Sequence, residues 1–257
     1  MNDPRAAIVD RHGRTVATYR ADERDGRPWA DNLAPDSGVP TGDVVTAILR
    51  ELAGHGVTST PDVGDALIAA GATERRRALA MFHPLDGPPR AGPRLDGITI
   101  EAYAHTAADL HPASGRAFPL GHPDRDPAMS DAQELAELAQ LLGGDIVGPV
   151  QPASRVAVTA DGAVVAAAIV TDHPGDPPFA GPWVPWVFRD PMLAPPGTGA
   201  AVLAAAMGAL IDDGAPGVGL AVTDGNPAQR VYERLGFSVV LRTVSVLIDR
   251  LDAPAAV

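Results

Sequence analysis

The chain has 257 residues, of which 46% are hydrophobic and only 4% aromatic, with 27 glycines, 26 prolines and a net charge of −12. That length allows two domains or one domain with a large extension, packed by aliphatic side chains and broken by many turns. Acidity without a single lysine excludes sequence-independent nucleic-acid binding; the lack of cysteine excludes disulfides, thiolate metal ligands and a cysteinyl intermediate.

No window approaches the roughly 18 apolar residues of a membrane span. The opening MNDPRAAIVDRHGR lacks the apolar core of a signal peptide, so a soluble, cytoplasmic protein without membrane partners is expected. Residues 5–20 read as a hairpin about Asp10-Arg11-His12-Gly13, and the polar stretch 21–42 as a long loop. Residues 43–52 have helical periodicity, with Val44, Ile48, Leu49 and Leu52 on one stripe. A short strand at 57–59, a helix at 61–70 opened by a proline and closed at Gly71, and an extended run at 73–82 follow. HPLDGPPRAGP, residues 83–93, is a linker by composition.

Beyond it, 98–102 is a strand, 106–110 a short helix and 112–129 a loop. Ser130 and Gln133 form a capping box for a helix with Leu135, Leu138, Leu141 and Leu142 on its apolar stripe, stopped by Gly143-Gly144. Residues 155–159 and 163–171 form a hairpin about Asp161-Gly162. After a proline-rich loop come a strand at 183–189, an Ala-rich helix at 199–211, a strand at 218–222, a helix at 227–235 and a final strand at 239–248.

Two stretches carry chemistry. DPMLAPPGTG, residues 190–199, places a glycine-bearing turn between a strand and a helix, where free N–H groups meet the positive end of the helix dipole and suit a pyrophosphate. LAVTDGNPAQRVYERLGF, residues 220–237, ends a strand, sets Asn226 at a helix start and Tyr232 within it, and closes on Gly236-Phe237. Together these resemble the signature of the GNAT acetyltransferase superfamily over residues 97–250.

The resemblance implies an α/β (α+β) GNAT fold, a central mixed twisted sheet flanked by helices. It implies acetyl-CoA as cosubstrate, no metal, and direct acetyl transfer to a primary amine of a small molecule or peptide. Gly197, Thr198, Gly199 and Ala200 would hold the pyrophosphate, and Asn226 the cofactor arm. A backbone N–H of Val187 or Phe188 would polarise the thioester carbonyl, and Tyr232 would protonate the departing thiolate. A homodimer is compatible with it. Where the family has Gln or Arg, this chain has Ala194, followed by Pro195 and Pro196, which have no N–H to give. That departure also fits a silent acyl-CoA-binding or interaction module, and the acyl chain itself is not readable.

Asp190, His173 and Glu101 have the chemistry of a general base, as has a water chain. GHPDRD, residues 121–126, reads as a loop on the substrate side. Trp183 and Trp186 are candidates for an acceptor cleft, although residues three apart on a regular strand face opposite sides. The segment 1–90 resembles the later one, hairpin on hairpin and helix on helix. Anchoring Gly71 on Gly236 sets Leu67 in the place of Tyr232 and Pro61 in that of Asn226. The N-terminal segment is therefore expected to be a truncated, non-catalytic GNAT-like αβ half, ahead of a complete domain at 97–250.

Overall fold

A computed structural model describes residues 5–24, 26–87, 89, 95–174 and 179–249. They form two compact units: the described residues up to Leu79 with those from Leu241 on, and Ala80–Val240. The division precedes the composition boundary at 90–97, and part of the expected linker, 88 and 90–94, lies outside the described residues.

The first unit contains β1 (Ala6–Val9), β2 (Thr15–Arg24), β3 (Arg27–Pro35), α1 (Thr41–Glu51), β4 (Gly56–Ser59), α2 (Pro61–Ala69) and the start of β5 (Thr73–His83). The antiparallel run β1-β2-β3 continues into β4, parallel to β3. Its core gathers Ile8, Val16, Val44, Ile48, Leu67 and Val246. The expected loop at 21–42 instead holds the end of β2 and all of β3. Composition hid β3 because its buried residues are few: Trp29, Ala30 and Leu33. Trp29 Nε1 donates to the Thr58 hydroxyl at 2.8 Å.

The second unit contains β6 (Ile98–Ala102), α3 (Ala107–Ala117), α4 (Asp131–Gly143), β7 (Arg155–Thr159), β8 (Val164–His173), β9 (Gly181–Arg189), α5 (Thr198–Asp212), β10 (Val218–Thr223), α6 (Gln229–Leu235) and the start of β11 (Ser238–Leu247). Its strands run β10-β9-β8-β7-β6, antiparallel except where β10 lies parallel to β9. From Leu241 on, β11 belongs to the first unit, where Val244 to Leu247 pair with Ser59 to Gly56 of β4. Helix α3 runs seven residues past its expected end at 110. Pro112 signals a break, but the Thr106–Asp109 capping box starts the helix firmly and Leu110, Ala113 and Ser114 bury its inner face.

Strand alternation assigns the faces of the second unit's sheet. Phe188 and Trp186 pack with Leu110, Ala113, Leu138 and Leu141 of α3 and α4. Arg189 therefore points to the other face, and its Cβ lies 3.5 Å from where a Cβ on Gly199 of α5 would be. Helices α3 and α4 cover one face, and α5 begins on the opposite one.

Two successive stretches of the chain share an element order. The order β1-β2-β3-α1-β4-α2-β5 is that of β7-β8-β9-α5-β10-α6-β11, antiparallel through the third strand and parallel from third to fourth. Each unit also lays a tryptophan over a glycine directly opposite it: Trp29 over Gly56, and Trp183 over Gly219. Gly71 after α2 and Gly236 after α6 both have left-handed φ, +104° and +103°.

A Cβ on Gly56 would fall 2.1 Å from Trp29 Cε3, whereas one on Gly208 in α5 meets nothing within 4 Å. Gly56→Ala is predicted to cost about 1–3 kcal/mol by overpacking, and Gly208→Ala to gain about 0.5–1 kcal/mol by helix propensity. Denaturant unfolding of the two variants checks both signs.

Candidate functional site

The site begins where β9 and β10 part. They pair only at Trp183–Gly219 and Val184–Leu220. Beyond that pair lie Val187 on one strand and Thr223 on the other. The Asp190 N–H donates to Val165 O of β8 at 2.8 Å. Inward and outward N–H groups alternate along an antiparallel strand, so Phe188 also directs its N–H at β8 and Val187 directs its own towards β10. Of the two candidates for a carbonyl-polarising N–H, only Val187 faces the gap; Phe188 is a core residue, 3% exposed.

The glycine turn is braced from within. Asp190 is wholly buried; its carboxylate takes two bonds from Arg116 of α3, at 2.8 Å from Nε and 2.6 Å from Nη2, and the N–H groups of Met192 and Leu193 at 2.8 and 3.3 Å. Burial alone would raise its pKa, but the guanidinium and the two N–H groups outweigh it and hold the carboxyl below its ordinary value. Asp190 is thus a structural anchor and not an available base. Ala194 is buried, so its position offers no side chain to a ligand. Arg189 lies alongside, its Nη1 donating to Ala194 O at 2.7 Å. Sequence reasoning missed this cation because it sits on the strand, before the turn.

Gly197 caps α5 with φ +95°. Thr198 is buried, and both its N–H and its hydroxyl donate to Pro195 O, at 3.3 and 2.8 Å. Its donors serve the turn, which departs from the expectation that it joins a pyrophosphate site. The N–H groups of Gly199 and Ala200 lie in the helix's first turn, where no intrahelical acceptor exists.

Across the gap, Asn226 and Tyr232 are both nearly buried, 7% and 9% exposed. Asn226 Oδ1 accepts the Ala228 N–H at 2.8 Å, and its Nδ2 donates to the Asp124 carboxylate. The Thr223 hydroxyl donates to the same carboxylate. Tyr232 packs against Phe237, and burial, with the Asp124 charge adding to it, pushes its pKa up to about 12. Asp124 comes from GHPDRD, a hundred residues away in sequence, and no local pattern marks its meeting with Asn226. That loop is tied down by Arg125, which donates to Phe118 O at 3.0 Å and pairs with Glu134 of α4 at 2.7 Å.

The tryptophan expectation is corrected by a β-bulge. Ile169 faces Trp186 and Thr171 faces Trp183, so β9 carries one extra residue between the tryptophans. Both rings therefore lie on the α3/α4 face. His173 is there too, its ring 5.3 Å from that of Trp183. Glu101 is not brought to the site: it lies on β6, four strands from β10 and thus roughly 19 Å away, with His105 beside it. A depression of about 240 Å³ beside His83, Asp86 and Gly236 is lined by none of the expected site residues. Among the described residues no cluster of three His, Asp or Glu side chains could hold a metal, and no helix is long and apolar enough to cross a membrane.

No protein-family model matches the chain, and no curated protein matches it. Solved structures do. A GCN5-related N-acetyltransferase from Sphaerobacter thermophilus is 17% identical, with 98% of this chain and 83% of that one covered, at a TM-score of 0.66. One from Kribbella flavida is 19% identical, with 96% and 89% covered, at 0.59. A tandem GNAT protein from the clavulanic acid biosynthesis pathway is 19% identical, with 91% and 79% covered, at 0.52. The likeness extends over both units, and the protein has the fold of these acetyltransferases.

Replacing Arg116 by Ala leaves the Asp190 carboxylate buried without its cation. A loss on the order of 2–3 kcal/mol is predicted at neutral pH. Because folding lowers the Asp190 pKa, its stabilisation is present above the ordinary carboxylate range and is lost as pH falls through the folded value. The gap between wild type and Arg116→Ala in urea melts should therefore shrink in strong acid.

Proposed function

From the GNAT fold and the gap between β9 and β10, we propose that the protein transfers an acetyl group from acetyl-CoA directly to a primary amine. The observation that carries this reading is the parting of β9 from β10, with Val187 N–H directed into the gap and Tyr232 within reach of the charge of Asp124, which holds Thr223 of β10. Acetyl-CoA supplies the acetyl group as a thioester. The N–H groups of Gly199 and Ala200, with the Arg189 guanidinium close by, suit its pyrophosphate; Arg189 supplies the charge that Ala194 does not. Val187 N–H donates to the carbonyl oxygen as negative charge develops there. The amine nitrogen bonds to the carbonyl carbon, the carbon–sulfur bond breaks, and Tyr232 gives its proton to the thiolate. The proton released by the acylated nitrogen leaves through water or a nearby base and restores the phenol.

Raised to about 12, the Tyr232 phenol is fully protonated at neutral pH, as a proton donor must be. It is a reluctant donor in that state, and relief of the Asp124 charge would sharpen its acidity. A second reading, a catalytically silent acyl-CoA-binding or interaction module, is favoured by the inward-turned donors of Thr198 and by the Asn226 amide, bonded at both ends within the protein. Acetyl as opposed to another acyl group, a cytoplasmic location and the N-terminal unit as a non-catalytic half belong to the first reading. Leu67, fully buried at the place of Tyr232, supports that role for the N-terminal unit.

Calorimetric titration with acetyl-CoA should give saturable binding, and Gly199→Glu should abolish it by placing a carboxylate where the pyrophosphate would lie. No binding by the wild-type protein would remove the acetyltransferase and leave the interaction module. Tyr232→Phe should lower kcat in a thiol-release assay by on the order of 10²–10⁴ with the acetyl-CoA Kd unchanged. Full activity of that variant would leave the phenol a packing residue.

A further inference from the structure

The depression at the end of α6 contains a buried side chain with an unanswered donor. Its walls come from His83 and Asp86, at the end of β5 and in the turn after it, and from Glu233, Arg234 and Gly236 at the end of α6. All belong to the second unit. Strand β5 neighbours β10 on the side away from β9, and the Phe82 ring lies against Gly217, just before β10 begins. From Gly217 to Thr223, beside the gap, is about 20 Å of strand. The depression is therefore remote from the candidate acetyl-transfer site.

His83 is only 8% exposed. Its Nδ1 accepts the Leu85 N–H at 2.9 Å, which fixes the tautomer: the ring proton is on Nε2. Burial lowers the His83 pKa, against a smaller opposing effect of the Asp86 charge, and keeps the ring in this neutral form at neutral pH. Nε2 stands 2.8 Å from where a Cβ on Gly236 would be, and no described residue accepts its proton. Because Gly236 has no side chain, that N–H opens on the depression. The turn that presents it is strained: Leu85 is buried with φ +53°, a conformation that suits glycine.

We propose that the depression binds a small zwitterion, a free α-amino acid, with its carboxylate on His83 Nε2–H and the Arg234 guanidinium and its ammonium towards Asp86. Arg234 is exposed and has no counter-ion among the described residues, and Asp86 is exposed and hydrogen-bonded to none of them. Glu233 is already engaged, its Oε1 accepting from Gln229 at 2.8 Å. A neutral donor beside a cation calls for a carboxylate. A plain carboxylate would also stand near two like charges, Asp86 and Glu233, and a plain cation would leave Arg234 and Nε2–H unanswered. A molecule with both charges on one carbon answers each of them. The volume, about 240 Å³, is below the usual range for cofactor-sized ligands and admits a small amino acid. The proposal does not depend on acetyl transfer.

The test uses the full chain and three probes: L-alanine, propionate, which lacks the ammonium, and ethylammonium, which lacks the carboxylate. Affinities are read by NMR titration, with the His83 ring signals identified by their loss in His83→Gln. Wild type should bind L-alanine roughly fivefold tighter than either fragment, with the His83 signals shifting along the titration. Arg234→Gln should reduce L-alanine to the level of ethylammonium, and Asp86→Asn to that of propionate; both replaced side chains are exposed. Equal affinity for the three probes, no binding of L-alanine, stationary His83 signals, or a preference that survives both substitutions would overturn the proposal. Acetyl-CoA titration of the same samples bears on the acetyltransferase alone. Its failure leaves the amino-acid site standing, and failure of L-alanine to bind leaves the acetyltransferase standing.

Discussion

Two residues of parallel pairing, Trp183 with Gly219 and Val184 with Leu220, are the constraint on which the candidate site depends. A glycine is required at 219 because any Cβ there would stand 2.6 Å from the indole. The ring seals the strands at that point, and past it they diverge. A parallel pair that stayed closed would satisfy Val187 N–H with a carbonyl of β10; a pair that parts leaves it for a ligand. The same parting lies between the face where α5 begins and the face under α3 and α4.

What keeps this opening in shape is a polar scaffold with one buried charge at its centre. Asp190 ties the turn after β9 to α3 through Arg116 and fixes two backbone N–H groups. Arg189 and Thr198 secure the carbonyls of Ala194 and Pro195. The two prolines remove donors but stiffen the turn, and the turn's remaining polar groups are largely satisfied within the protein. A site preorganised in this way relies on few free donors, each with a fixed direction.

Local patterns in the sequence revealed those parts of the fold that local chemistry decides. Gly197-Thr198-Gly199, the Ser130 capping box, Asp161-Gly162, and Asn226 with Tyr232 and Gly236 were all legible, because cap, turn and helix-end rules act within a few residues. Strand β3 was hidden because burial through one tryptophan and two smaller residues does not register as alternation. Helix α3 runs past its expected end because a capping box and an inner face that only the folded sheet defines outweigh Pro112. The bulge that brings Trp183 and Trp186 to one face cannot be read from spacing, since the extra residue shows only against β8. The bond from Asp124 to Asn226 joins loops far apart in sequence, and only the fold reveals it.

Strand β11 has a consequence for how the protein is made. The first unit needs Val244 to Leu247 beside β4, and these residues follow the whole of the second unit in the chain. At usual rates of translation, on the order of ten seconds passes between synthesis of β5 and of β11. For that time the emerging N-terminal segment has an edge of β4 without its strand, which is the kind of surface that chaperones hold and other chains can capture. Cooperative closure of the first unit therefore waits for β11, although most of its residues are made before those of the second unit.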